Sequence, residues 1–97
     1  MLKSEAPDEG AVIQNAPVVL IADDDPAIRL ILRHRLEAAG YNVSEASDSA
    51  GALAALKTNR FDVALLDIIM PGSGGLEVLS AAQTDGVRTA IIVITAA

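Results

Sequence analysis

The chain has 97 residues, enough for one small domain, and 52% of them are hydrophobic, which argues against disorder of the whole chain. The net charge is -6 and no basic cluster is present, so we expect no direct contact with nucleic acid, whose phosphates need Lys and Arg partners. No residue is a cysteine, which excludes disulfides, thiolate nucleophiles and cysteine-ligated metal sites.

The N-terminal segment, residues 1–16, combines acidic residues with scattered apolar ones. It has no continuous apolar stretch of the length that a signal peptide needs. No segment elsewhere approaches the roughly 20 apolar residues of a membrane span. The sequence therefore predicts a flexible tail over residues 1–16 and one domain over residues 17–97, in a cytoplasmic protein without a membrane partner.

The first predicted elements are a strand and a helix. Residues 18–22 form a short apolar run that is typical of a strand buried on both faces. Residues 26–40 follow with an apolar stripe at helical spacing, which we expect to lie in the core. The stripe comprises Ile28, Ile31, Leu32 and Leu36. Asp25 suits the N-cap of this helix, Pro26 its first turn and Gly40 its end.

The rest of the chain alternates in the same way. A mixed segment indicates an edge strand, two further apolar runs indicate buried strands, and Ala- and Leu-rich segments indicate helices. In chain order the predicted elements are a strand at 41–47, a helix at 49–60, a strand at 61–67, a Gly- and Pro-rich loop at 70–75, a helix at 76–83 and a strand at 89–97. Such alternation implies parallel strands joined by right-handed helical crossovers. The predicted class is therefore α/β, a doubly wound parallel sheet with helices on both faces.

Carboxylates collect where the predicted strands end. The first strand is followed by Asp23, Asp24 and Asp25, and the third strand ends at Asp67, while Thr95 ends the fourth. Ligands of open parallel sheets bind at this carboxyl edge. Carboxylates are hard oxygen ligands that suit Mg²⁺, and the cation would cancel their mutual repulsion. An aspartate beside the cation can act as a nucleophile toward phosphorus and form an acyl phosphate.

Each of these residues also has a simpler interpretation. A single Asp after a strand is usually a turn residue or an N-cap, and the N-cap is the favoured interpretation for Asp25. Thr95 alone means little, since Thr is common in strands. The metal-site interpretation rests on Asp23 and Asp24 together with Asp67.

Three segments in order resemble the receiver domain of response regulators, the signal-accepting proteins of two-component pathways. They are VVLIADDDPAIR, VALLDIIMPGSGGLEVL and AIIVITA. The resemblance covers residues 16–97 and implies a flavodoxin-like sheet with strand order 2-1-3-4. It also implies a signalling role rather than an enzymatic one.

The resemblance further implies roles for individual residues. Asp67 would accept a phosphoryl group from a sensor histidine kinase or a histidine phosphotransfer protein. Asp24 would ligate Mg²⁺ directly, Asp23 would assist through water, and the main-chain carbonyl of Ile69 would be the third protein ligand.

Four more positions match the family pattern. Thr95 would be the switch residue that hydrogen-bonds the phosphoryl group, and Ala96 would keep space open beside it. Pro71 and Gly75 would shape the loop after the acceptor.

The chain also departs from the family pattern. In the family, the strand matching residues 90–95 is followed by a helix, a strand with a Lys, and a further helix, none of which occurs in this chain. Without the Lys, a pseudo-receiver that binds partners but is not phosphorylated is the alternative. Without the next strand, residues 90–95 would form a bare sheet edge, so self-association through this strand is expected.

A second alternative is a phosphohydrolase of the haloacid-dehalogenase type. It needs a second Asp two residues after the nucleophile, a position that Ile69 occupies in this chain.

Overall fold

The computed structural model describes residues 16–72 and 74–94. Strands and helices alternate along this part of the chain: β1 (Val18–Ala22), α1 (Pro26–Ala38), β2 (Asn42–Ala46), α2 (Ser49–Thr58), β3 (Val63–Asp67), α3 (Gly75–Thr84) and β4 (Ala90–Ile94). The predicted elements are thus confirmed in type and order. The predicted tail lies outside the described residues except for Ala16, so the division into tail and domain stays a prediction. None of the described helices has the length and apolar content needed to cross a membrane.

The strands form one parallel sheet in the order β2-β1-β3-β4, which confirms the predicted topology. Ile21 on β1 pairs with Glu45 on β2 and with Leu65 on β3, and Leu65 pairs with Ile92 on β4. These four side chains therefore point to the same face of the sheet, since neighbours in register share a face.

The main core lies on the other face, between the sheet and helices α2 and α3. Its buried members are Leu20, Ala22, Ala46, Ala52, Leu56, Phe61, Ala64, Leu66, Met70, Val78 and Ala82. The strand residues of this set alternate with those of the opposite face, while the helix residues recur at helical spacing. This core fixes β1 and β3 side by side and so fixes the positions at which both strands end.

Helix α1 covers the opposite face and corrects one prediction. Asp25 caps it as predicted, since its Oδ1 accepts hydrogen bonds from the N–H groups of Ala27 (2.9 Å) and Ile28 (3.5 Å). The apolar stripe is not core, however: no residue of α1 is buried, and Ile31 is 53% exposed. The reason is that α1 packs mainly on β1 and β2, and no second helix of the described residues covers its other flank.

Strand β4 is also less buried than its apolar sequence predicts. In the described part of the chain it pairs with β3 alone, so it forms an edge of the sheet. Ile92 is 51% exposed, on the same face as α1. The apolar run rightly predicted a strand but wrongly predicted burial on both faces, whereas the edge position agrees with the bare sheet edge predicted for residues 90–95.

Candidate metal centre

Three aspartates meet at the carboxyl edge of the sheet. Ala22 pairs with Leu66 at the ends of β1 and β3, so the next residues, Asp23 and Asp67, stand at the same level. Asp24 joins them, and one carboxylate oxygen of each residue lies within 4.8 Å of the others. Asp23 and Asp67 are only 5% and 4% exposed, whereas Asp24 is exposed. The structure therefore brings together the three acidic residues that the sequence singled out.

Main-chain N–H groups of the adjoining loops hold the two buried carboxylates. The N–H of Asp25 donates to Oδ1 of Asp23 at 2.9 Å, and the N–H of Ile69 donates to Oδ1 of Asp67 at 3.1 Å. The N–H of Asp23 in turn donates to the carbonyl of Ala46 at 3.1 Å, which extends the pairing of β1 with β2. Both carboxylates are thus oriented by backbone that folds back over the strand ends.

Burial and charge raise the pKa of Asp23 above its ordinary value. The largest cause is removal of the carboxylate from water, and the charges of Asp67, Asp24 and Asp25 add to it. The hydrogen bond from the N–H of Asp25 acts in the opposite direction. The anionic form of Asp23 is therefore disfavoured, and a bound cation would oppose the repulsion from the neighbouring carboxylates.

The donor set fits Mg²⁺. Hard cations take carboxylate and carbonyl oxygens, and Mg²⁺ usually keeps several waters as well. Asp23, Asp24 and Asp67 offer carboxylate oxygens close enough for one ion, and the exposed side of Asp24 leaves room for water. The predicted contribution of the Ile69 carbonyl stays a prediction.

The loop after β3 packs tightly against Asp67. A Cβ atom added to Gly75 would stand 2.2 Å from the carbonyl oxygen of Asp67, so only glycine fits there. The carbonyl of Pro71 accepts hydrogen bonds from the N–H (3.2 Å) and the Oγ (3.1 Å) of Ser49, which is buried at the start of α2. These contacts hold the loop on both sides, although the functional roles predicted for Pro71 and Gly75 stay predictions.

Thr95 and Ala96 lie outside the described residues, and their roles stay predictions. The side chain of Ile69 is 68% exposed and carries no acid, so it does not supply the second carboxyl group of a haloacid-dehalogenase site.

One contact to the site was missed by the sequence interpretation. Nη1 of Arg29, on α1, donates to the main-chain carbonyl of Asp23 at 2.7 Å, and its Nε donates to Glu45 on β2 at 2.8 Å. Helical spacing marks Arg29 as a polar residue of α1, but only the placement of α1 over β1 and β2 shows what it reaches.

The fold and the site agree with comparisons to known proteins. The family model of the response regulator receiver domain matches residues 19–97. The response regulator MprA of Mycobacterium sp. (strain KMS) is 41% identical over 78 residues, which are 80% of this chain and 34% of that protein. The chain thus spans about a third of the length of this curated relative.

Solved structures show the same architecture. The CheY-like receiver domain protein of Methanospirillum hungatei JF-1 superposes with a TM-score of 0.81 at 32% identity, covering 86% of this chain and 66% of that one. TrrA of Thermotoga maritima, solved in complex with Mg²⁺-BeF, gives a TM-score of 0.79 at 34% identity, covering 84% of this chain and 70% of that one. Receiver domains are generally signalling modules rather than enzymes. On the strength of the family match and these structural likenesses, the chain belongs to the response regulator receiver domains of two-component signalling.

Proposed function

We propose that this chain accepts a phosphoryl group on Asp67, with Mg²⁺ bound beside it. The observation that carries the proposal is the cluster of Asp23, Asp24 and Asp67, whose carboxylate oxygens lie within 4.8 Å of one another while two of the three side chains are buried. Buried like charges are costly without a cation. A related protein, TrrA, has been solved with Mg²⁺-BeF, which supports the same assignment for this site.

In this proposal the metal ligands are the carboxylate of Asp24, the main-chain carbonyl of Ile69 and, through water, Asp23. When bound, the cation neutralises charge on the phosphoryl oxygens, which the carboxylates would otherwise repel. Asp67 contributes to the same cation and is at the same time the acceptor.

The acceptor step follows from the orientation of Asp67. Its Oδ1 already accepts the N–H of Ile69 at 3.1 Å, so Oδ2 is the oxygen assigned to attack phosphorus. A bond forms between Oδ2 and phosphorus as the bond from phosphorus to the leaving group breaks. A phosphohistidine donor releases imidazole with the electron pair of its nitrogen, and acetyl phosphate releases acetate. In both cases the product is an acyl phosphate on Asp67.

The proposal extends to partners and to the remaining site residues. The donor is a sensor histidine kinase or a histidine phosphotransfer protein, which places the chain in the cytoplasm with its donor. The hydroxyl of Thr95 would donate a hydrogen bond to a phosphoryl oxygen, and Ala96 would leave space for the group. Pro71 and Gly75 would shape the loop that follows Asp67.

The experiment is phosphorylation by a small donor. The protein is incubated with acetyl phosphate and Mg²⁺, and intact mass spectrometry measures the gain of one phosphoryl group. Asp67→Asn should abolish the gain. Asp62→Asn is the matched control, because Asp62 lies just before β3 at the opposite end of the sheet and its carboxylate accepts the N–H of Val18 at 2.7 Å, a bond that Asn can retain.

The outcomes separate the alternatives. A gain that survives Asp67→Asn would remove this residue from its role. A parent chain that binds Mg²⁺ but gains no phosphoryl group from either acetyl phosphate or a kinase would support the pseudo-receiver, in which the acidic site serves binding alone.

We also propose that β4 pairs with a second copy of this chain. Residues Ala90–Ile94 carry no charge and no Pro, and Ile92 is half-exposed, so the devices that usually protect an edge strand are missing among the described residues. Two copies related by a two-fold axis offer each other the same edge in antiparallel orientation. Sedimentation at micromolar concentration tests this, with Ile92→Lys expected to give monomers. A parent chain that is folded and monomeric would refute the pairing.

A further inference from the structure

We infer that Arg29 is a positioning residue of the metal centre: it holds the main-chain carbonyl of Asp23, and Glu45 holds Arg29 in the orientation that reaches this carbonyl. The inference rests on the proposed Mg²⁺ site and concerns how the loop between β1 and α1 is kept ready for the cation. It assigns a role at the centre to α1 and β2, two elements that provide no metal ligand.

The contacts form a short chain from β2 to the loop. Glu45 is the register partner of Ile21 on β1, and its Oε1 accepts the Nε–H of Arg29 at 2.8 Å. Nη1 of the same guanidinium donates to the carbonyl of Asp23 at 2.7 Å. The side chains of Arg29 and Glu45 are only 18% and 26% exposed, and the bond from Arg29 to the Asp23 carbonyl is partly buried.

The start of α1 places Arg29 for this contact. The N–H of Arg29 donates to the carbonyl of Asp25 at 3.0 Å, which sets residue 29 one helical turn after the N-cap. A planar guanidinium can donate from Nε in one direction and from Nη1 in another, and a Lys ammonium cannot reproduce this fork. The geometry is therefore specific to Arg.

The hydrogen bond from Arg29 restrains Asp23, whose buried carboxylate is repelled by its neighbours. Asp23 is buried beside Asp24 and Asp67, and their repulsion favours an outward movement of the loop in the absence of a cation. The N–H of Asp23 is fixed to Ala46 at 3.1 Å, and the carbonyl on its other side is fixed by Arg29. With both peptide groups held, the carboxylate stays where a cation can be bound without prior rearrangement of the loop.

The charge of Arg29 and its hold on the loop predict opposite effects on Mg²⁺ affinity when the side chain is removed. A cation near a metal site repels the metal, so if Arg29 acted only through its charge, its removal would tighten Mg²⁺ binding. If it acts by holding the loop, its removal weakens binding. Glu45 also neutralises much of the charge of Arg29, which reduces the first effect.

Arg33 provides the matched control. It also pairs with Glu45, and it donates to the carbonyl of Val43 at 3.2 Å, but it has no contact with Asp23. Its pairs with Glu37 and Glu45 make it at least as well connected as Arg29. Arg33→Gln therefore removes the same charge from the same network without touching the loop.

The experiment compares the parent chain with Arg29→Gln, Arg29→Lys and Arg33→Gln. Isothermal titration with Mg²⁺ gives the Kd. Amide hydrogen exchange in the metal-free protein gives the opening of the loop at Asp23 and Asp25, whose N–H groups donate to Ala46 and to the Asp23 carboxylate. We expect the Kd to rise about tenfold or more in Arg29→Gln, as for other groups that orient metal ligands. Arg29→Lys should not restore it, and Arg33→Gln should leave it unchanged. Exchange at the two amides should accelerate in the Arg29 variants only.

Two results would overturn the inference. One is a Kd in Arg29→Gln equal to or below that of the parent. The other is an equal weakening in Arg33→Gln, which would show a general loss of stability instead of a local effect. A failure of the proposed phosphoryl transfer can be told apart from a failure of the role inferred for Arg29, because Mg²⁺ affinity is measured without any phosphoryl donor. If the parent itself binds no Mg²⁺, the proposed metal centre is refuted, whereas faster exchange in the Arg29 variants still supports the hold on the loop.

Discussion

Replacing Asp23 by Asn removes one of the three negative charges at the carboxyl edge and leaves the shape of the side chain almost unchanged. The amide oxygen can still accept the N–H of Asp25, which Oδ1 of Asp23 accepts at 2.9 Å. The variant therefore isolates the charge from the hydrogen bond. We expect it to be more stable than the parent without metal and to lose the stabilisation that Mg²⁺ gives.

The magnitude follows from the distances. Two unit charges about 4.8 Å apart repel by roughly 1 kcal/mol in water and about 3.5 kcal/mol at an effective dielectric constant of 20. The pair of Asp23 with buried Asp67 lies nearer the second value, and the pair with exposed Asp24 nearer the first. Because Asp23 and Asp24 are also neighbours in the unfolded chain, part of their repulsion cancels. We expect a net gain of about 1–3 kcal/mol, which corresponds to roughly 4–8 °C in Tm for each kcal/mol.

The assay is urea unfolding in EDTA and in saturating Mg²⁺. Ligand at about 100 times its Kd should stabilise the parent by about 2.7 kcal/mol and the variant by much less. The advantage of the variant should thus shrink or reverse when Mg²⁺ is added. Asp62→Asn, at the other end of the sheet, controls for the change in net charge.

The reasoning would be refuted by a metal-free Asp23→Asn protein that is less stable than the parent at an unchanged m value. It would also fail if Asp62→Asn stabilised the chain as much, since the effect would then belong to the overall charge.

The loop after β3 and the pKa of Asp23 give three further predictions. Gly75→Ala should destabilise the fold by at least about 2 kcal/mol, because the added Cβ would stand 2.2 Å from the carbonyl oxygen of Asp67; an unchanged Tm would contradict this. Ser49→Ala should cost about 1–2 kcal/mol in urea unfolding by removing a donor to the Pro71 carbonyl, and a neutral result would show that the bond adds nothing. The pKa of Asp23 is raised above 3.8, so native protein holds this proton to higher pH than unfolded chain does; its stabilising contribution is complete below 3.8 and is lost as pH rises through the native pKa. Unfolding measured against pH should show that loss in the metal-free parent and a smaller one in Asp23→Asn.

Sequence pattern predicted the fold well because each strand and helix has its own local signal. The apolar runs at 18–22 and 61–67, the cap at Asp25 and the Gly- and Pro-rich loop at 70–75 each act within a few residues. Parallel order follows from the alternation of the two element types. Since the carboxyl ends of parallel strands share an edge, the meeting of Asp23 with Asp67 was predictable as well.

The sequence pattern does not show which element packs on each face of a helix or strand. Ile31 and Ile92 have the spacing of core residues, yet both are about half-exposed, because burial depends on which element lies above them and not on their own period. Arg29 differs in the opposite direction. Its spacing predicts a polar surface residue of α1, yet its side chain contacts the main chain of Asp23. Both differences arise from the position of α1 on the sheet, which is set by tertiary packing.

The stability expected of Asp23→Asn and the role inferred for Arg29 depend on the same equilibrium between an open and a closed loop. In the metal-free protein, repulsion among Asp23, Asp24 and Asp67 favours an open loop, whereas the core beneath β1 and β3 and the hydrogen bond from Arg29 favour a closed one. A cation that binds only the closed arrangement gains affinity to the extent that the protein has already closed it. Easing the repulsion should therefore raise metal-free stability, whereas releasing the restraint should lower affinity. The two changes act on opposite sides of one equilibrium, and Asp23→Asn and Arg29→Gln separate them because only the second leaves all three carboxylates in place.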